Sequence, residues 1–149
     1  MYYNYSALVK DLDKFFKGFK YKPDVIVAVS RGGLTISHLF ASYLNVKEVL
    51  VVNASSYEGK TQGELEVKNI PNLSGYKKAL LIDDISDTGE TLKTINEALT
   101  SNNKKTEVKS FTIFYKEESK FKPDFYIRGA HNWVDFFWEV DLVKEKKQG

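Results

Sequence analysis

Apolar residues recur along this chain in two rhythms, one helical and one extended. Between Tyr5 and Phe19, the residues Leu8, Leu12, Phe15 and Phe19 share one face at helical spacing, which predicts a packed helix. Asn4 or Ser6 can cap it, and Gly18 lies near its end. Asp24 to Ser30, behind Pro23, is a β-branched run that reads as a central strand. Arg31-Gly32-Gly33 follows at once, and LTISHLFASYL then restores helical spacing. Lys47 to Ala54 is a further strand, and Glu64 to Lys68 alternates with a period of two. Ala79 to Ile82 is a short apolar run of buried-strand length. Leu92, Ile95, Ala98 and Leu99 mark a helix that ends in the polar turn Thr100 to Lys105, and Val108 to Tyr115 is another strand. Strands alternating with helices predict an α/β fold, a mainly parallel twisted sheet flanked by helices, with ligands at its carboxyl edge.

The most informative stretch is Lys78 to Thr91, KALLIDDISDTGET. A buried strand ends there on two adjacent carboxylates, Asp83 and Asp84. Asp87 follows, and Thr88-Gly89-Glu90-Thr91 leads into a helix. Amides at a helix start lack intrahelical acceptors and point toward any anion nearby. Thr88 and Thr91 add hydroxyl donors, and Gly89 permits close approach of a ligand. Two carboxylates are wrong for a phosphate alone but suit sugar hydroxyls, or a hard cation carried in with the phosphate. The combination implies a sugar phosphate accompanied by a metal. Arg31-Gly32-Gly33 forms a second strand–glycine turn–helix unit, and hence either a structural turn or a second candidate anion site at the same sheet edge, where Arg31 can pair with a phosphate.

Composition narrows the class. The chain has 149 residues, a length suited to one domain with its own core. It contains no cysteine, which excludes disulfides, thiolate nucleophiles and thiolate metal sites. A net charge of +2, with lysines scattered outside the tail Lys144 to Lys147, gives no footprint for nucleic acid. No apolar run reaches membrane-spanning length and the N-terminus lacks a signal-peptide pattern, so a cytoplasmic setting is expected.

Gly59-Lys60-Thr61 mimics the end of a nucleotide-binding P-loop, and Ala79 to Asp84 mimics the acidic strand that accompanies one. A P-loop needs a helix directly after that triplet. Here Gly63 and a period-two segment follow, and Ala54 stands where the loop's first glycine belongs.

LLIDDISDTGET resembles the phosphoribosyl-pyrophosphate signature of the type I phosphoribosyltransferases: four apolar residues, two acids, then Asp-Thr-Gly-x-Thr. Other landmarks, from Asp24 to Asp141, resemble the bacterial 6-oxopurine branch, whose members act on guanine, xanthine and hypoxanthine. The resemblance implies one domain over 1–149 with a lid at about 55–66, containing Ser56 and Tyr57, and a small hood formed partly by about 129–143. It implies transfer of a 5-phosphoribosyl group to N9 of a 6-oxopurine with Mg2+, the partners being phosphoribosyl pyrophosphate and the base. Asp83, Asp84, Asp87, Thr88, Gly89, Glu90 and Thr91 would hold the phosphoribosyl donor, Asp84 and Asp83 would lie toward the metal, and Asp87 would act at purine N7. Ser30, Arg31, Gly32 and Gly33 would hold pyrophosphate, with a strained or cis peptide near Arg31. Lys116 would donate to the purine O6, Trp133 would stack on the base, and Val134 and Asp135 would approach its edge. Phe137 replaces a proline of some relatives. His38 and His131 are expected to be packed or on the surface rather than ligands. A homodimer or homotetramer is implied. Two alternatives stand beside this reading: a phosphoribosyltransferase for adenine, orotate or uracil, and a non-catalytic nucleotide sensor on the same fold.

Overall fold

A computed structural model describes residues 1–56 and 65–142. Tyr57, Gly59 to Gly63 and the lysine tail lie outside the described residues, as does the side chain of Ser56. In chain order the elements are β1 (Tyr2–Tyr3), α1 (Tyr5–Gly18), β2 (Val25–Ser30), α2 (Leu34–Leu44), β3 (Val49–Ser56), β4 (Leu65–Lys68) and β5 (Lys78–Ile82). They continue with β6 (Ile85–Ser86), α3 (Glu90–Asn102), β7 (Glu107–Tyr115), β8 (Phe125–Gly129), β9 (Asp135–Phe136) and α4 (Phe137–Val140). Contacts divide the chain into two compact units, Met1–Lys20 with Ala130–Gly149, and Tyr21–Gly129.

The larger unit is a seven-stranded sheet in which β2 pairs in parallel with β3 and β5, and β5 in parallel with β7. Phe111 is in register with both Ile82 of β5 and Phe125 of β8, and Phe114 with both Ile85 of β6 and Arg128 of β8. A strand has two edges, so β5 and β6 share one edge of β7 and β8 takes the other. Among the described residues only β4 runs antiparallel, against β3. That pairing makes Leu65–Lys68 a strand, where a P-loop would require a helix. Val25, Val27, Val29, Val52, Ala79 and Leu81 pack on one face of the sheet against Leu92, Ile95 and Leu99 of α3. Phe40 of α2 meets Phe111 with ring centroids 4.6 Å apart. Both faces of the central strands are therefore covered, which is why they read as unbroken apolar runs.

Ends of elements differ from the sequence reading in small ways. Asp24 precedes the strand rather than opening it, because its carboxylate accepts the Lys77 and Lys78 amides at 2.8 and 3.0 Å. The α3 helix runs through the expected polar turn to Asn102. Buried Asn103 closes it, donating to the Leu99 carbonyl at 2.9 Å and accepting from Leu73 N at 2.9 Å.

In the smaller unit, β1 pairs in parallel with β9, setting Tyr3 beside Phe136. The buried stripe of α1 is Leu8, Leu12 and Phe16, whereas the expected Phe15 and Phe19 are only half-buried. Asn4 is the cap, its side chain accepting the Ala7 amide at 2.8 Å. Asn4→Ala should therefore cost about 1 kcal/mol, seen as a lower thermal midpoint. An unchanged midpoint would show that the cap contributes nothing. Phe136 is buried, stacked on Trp138 with centroids 4.7 Å apart, while Phe137 and Trp138 are half-buried.

Candidate active site

Three adjacent parallel strands, β2, β5 and β7, end at the same sheet edge, and each delivers part of the site. β5 runs into Asp83 and Asp84, only 8% and 7% exposed. Backbone amides hold both carboxylates: Asp84 N donates to Asp83 Oδ1 and Ile85 N to Asp84 Oδ1, each at 2.8 Å. The Asp84 carbonyl accepts from Ile113 N and Phe114 N at 3.0 and 3.1 Å, which ties the acidic turn to β7. The acids thus sit on rigid backbone at the mouth of the sheet.

β2 ends at Ser30, and the Ser30–Arg31 peptide is cis. Gly32 then passes directly against the acidic pair: a Cβ there would lie 2.5 Å from Asp84 Oδ2. Gly33 is tighter, with a Cβ position 3.0 Å from the Val29 carbonyl oxygen, 3.1 Å from Asp83 Cα, and nearer still to the Ile82 carbonyl oxygen. Gly33 is thus required by space against backbone, whereas Gly32 faces a side-chain carboxylate. Their absent side chains let the turn after β2 touch the carboxylates after β5. Arg31 is exposed at this turn.

β6 carries the chain to Asp87, whose carboxylate forms an ion pair of 2.5 Å with the ammonium of Lys116 at the end of β7. Lys116 is 21% exposed and Asp87 48%, so the pair lines an opening rather than the core. Thr88 is exposed, and Gly89 adopts the left-handed conformation (φ 85°) as the cap of α3. With Glu90 and Thr91 in the first turn, the leading amides of α3 have no intrahelical acceptor.

The structure therefore brings Gly32, Gly33, Asp83 and Asp84 together, and joins Asp87 to Lys116. Trp133, Val134 and Asp135 belong to the smaller unit, where Trp133 is 72% exposed and its indole N–H donates to Asp135 Oδ1 at 2.8 Å. Val134 is buried, an environment that suits a packing side chain. His38 and His131 are both exposed.

The segment after Lys116 has no counterpart in the sequence reading. Lys120 N donates to the Thr88 carbonyl at 2.9 Å, and the Lys120 ammonium meets Glu90 at 3.2 Å. A Cβ on Gly89 would strike this segment, 2.5 Å from Phe121 N. A polar loop without periodicity gave no signal for this contact.

A parallel sheet whose carboxyl edge sets an acidic pair against a glycine turn, beside a helix start, matches what the resemblance to the type I phosphoribosyltransferases implies. The family model described as "Phosphoribosyl transferase domain" matches residues 7–146, and the chain belongs to that family. It is 35% identical over 120 residues to xanthine-guanine phosphoribosyltransferase of Chromohalobacter salexigens, covering 79% of this chain and 70% of that protein. The solved Helicobacter pylori xanthine-guanine-hypoxanthine phosphoribosyltransferase superposes with a TM-score of 0.86 at 34% identity, over 95% of this chain and 94% of that one. A purine phosphoribosyltransferase from Pyrococcus horikoshii follows with a TM-score of 0.82 and 26% identity, over 98% of each chain.

Proposed function

We propose that this phosphoribosyltransferase serves purine salvage by moving the 5-phosphoribosyl group of phosphoribosyl pyrophosphate to N9 of guanine, xanthine or hypoxanthine. The observation that carries the reading is the Asp87–Lys116 pair at the sheet edge. A 6-oxopurine presents O6 beside N7 on one edge. In its N7–H form it offers an acceptor to Lys116 and a donor to Asp87, whereas a 6-aminopurine would turn a donor toward the lysine. Pyrophosphate leaves C1′ with the bonding electrons, N9 attacks, and Asp87 takes the N7 proton. The transition state is oxocarbenium-like, as in glycoside chemistry, so water must be excluded.

The thirteen-residue helix α3 and the turn before it (Asp87, Thr88, Gly89, Glu90, Thr91) are assigned to the 5′-phosphate. Ser30, Arg31, Gly32 and Gly33 are assigned to pyrophosphate. Family likeness assigns Trp133, Val134 and Asp135 to the base, makes Ser56 and Tyr57 part of a lid, and gives one domain over 1–149 with a small hood formed partly by about 129–143. Among the described residues no group of three or more His, Asp or Glu could hold a metal alone. Two adjacent, amide-held carboxylates instead fit an ion that brings most of its oxygen ligands on the substrate, as Mg2+ does. When bound, that ion neutralises charge on the departing pyrophosphate. Among the described residues no helix is long and apolar enough to cross a membrane. A cytoplasmic homodimer or homotetramer completes the proposal.

The test is an assay with phosphoribosyl pyrophosphate, magnesium and each of guanine, xanthine, hypoxanthine, adenine, orotate and uracil. Transfer to oxopurines is expected. Transfer only to one of the last three, or tight nucleotide binding with no turnover, would replace the reading by its alternatives. Lys116→Ala should raise KM for the oxopurine by about tenfold to a hundredfold, the worth of a charged hydrogen bond, while kcat falls less. An unaltered KM would remove Lys116 from base recognition.

A further inference from the structure

We propose that Ser119 is a positioning residue that fastens the strap following Lys116 onto the phosphate-binding turn, so that the purine lysine and the phosphate cradle move as one body. The inference rests on the phosphoribosyl-transfer reading, which says what each half of the site holds.

The strap begins where β7 ends. Lys116 N donates to the Ser86 carbonyl at 3.1 Å, and Ser119 N donates back to the Lys116 carbonyl at 2.9 Å, reversing the chain. The Ser119 hydroxyl then lies 2.8 Å from the hydroxyl of Ser86, which is 33 residues away in sequence and buried directly before Asp87. Both hydroxyls reach the Phe121 carbonyl, at 2.8 and 3.0 Å, and Phe121 N donates to Ser119 Oγ at 3.2 Å. Phe121 itself packs against the core cluster that includes Leu92 and Ile95 of α3. Next to this knot, Lys120 holds the Thr88 carbonyl through its amide and the Glu90 carboxylate through its ammonium.

The turn does little to hold itself. Its own side-chain contact, from Glu90 N to Thr88 Oγ1, is long at 3.3 Å. Its shape is imposed from the strap side, where Gly89 has no room for a side chain beside Ser119 and Phe121. Ser119 therefore sits between two jobs. One end of its segment is the residue that reads the base, and the other clamps the carbonyl of Thr88 and the first residue of α3. Removing the hydroxyl takes away the contacts of Ser119 with Ser86 and Phe121 and leaves the strap tied to Ser86 through the Phe121 carbonyl, with Asp83, Asp84, Asp87 and Lys116 chemically intact.

The experiment compares the wild-type chain with Ser119→Ala, Ser86→Ala and the double variant. It measures kcat, KM for phosphoribosyl pyrophosphate, thermal midpoint and, by calorimetry, binding of ribose 5-phosphate, which reads the cradle without turnover. Ser119→Ala should raise that KM and weaken ribose 5-phosphate by about tenfold, the upper range for one neutral hydrogen bond. The double variant should fall short of the sum of the two single effects, because the Ser86–Ser119 contact is shared while each hydroxyl also has its own bond to Phe121. A role confined to stability would lower the midpoint and the active fraction with KM unchanged, and that result overturns the proposal. So do fully additive single effects. A wild-type chain that neither binds ribose 5-phosphate nor transfers to any base overturns the functional reading as well. Wild-type binding with unchanged affinity in Ser119→Ala overturns only the strap.

Discussion

Asp87→Ala should retain binding of phosphoribosyl pyrophosphate within a fewfold while turnover falls by about a hundredfold to ten-thousandfold, the usual worth of a positioned acid or base. The asymmetry follows from where the carboxylate sits. Asp87 is half exposed and paired to Lys116, so it is not what holds the turn in place. The turn is held by backbone contacts from Lys120 and by the start of α3. Alanine therefore removes the proton acceptor and leaves the anion cradle standing. It also frees the Lys116 ammonium, which makes Asp87→Asn the sharper comparison, since an amide keeps the size but not the basicity. Single-turnover rates and equilibrium titration of each variant separate the two effects. Turnover within about threefold of wild type in both variants would end the assignment of Asp87 as proton acceptor.

Gly33→Ala should be the more damaging change to the fold. The new methyl would meet the Ile82 and Val29 carbonyl oxygens and Asp83 Cα, all backbone atoms of the two central strands or the turn leaving them. Side chains can swing away from an intruding atom, but paired parallel strands cannot. The variant must therefore separate β2 from the turn after β5 or distort the start of α2, where Gly33 N donates to the Val29 carbonyl at 2.8 Å. A loss of about 3 kcal/mol is expected, the upper range for overpacking. It should appear as a lower urea midpoint at unchanged slope, with activity lost alongside because the same shift moves Asp83 and Asp84. An unchanged midpoint would mean that the turn has slack the structure does not show. Gly32→Ala is the informative neighbour, since its methyl meets the Asp84 carboxylate rather than backbone. It should disturb the site more than the stability.

Much of this architecture could be read from one dimension. Val25 to Val29 and Ala79 to Ile82 are continuous apolar runs because sheet neighbours and flanking helices bury them completely, and such runs survive as pattern. The acidic pair and the helix start are likewise adjacent in sequence, so their joint chemistry was legible before any fold was known. Helix faces were less certain. Phe15, Phe16 and Phe19 stand at helical spacings from Leu12 within two turns, and only the packing against the rest of the smaller unit selects Phe16. The strap was invisible, because Lys116 to Phe121 has no periodicity and its partners lie on another element.

Local order along the chain thus determined which residues are strands, which are turns, and which short run carries both acid and anion-binding amides. Contacts between distant residues were decided elsewhere. The parallel register that sets Ala28 opposite Ile82 brings Gly32 against Asp84, and the pairing of Ser86 with Tyr115 delivers Lys116 to Asp87. Periodicity records how each segment meets solvent and core, whereas register depends on hydrogen bonds between segments, which no single segment encodes.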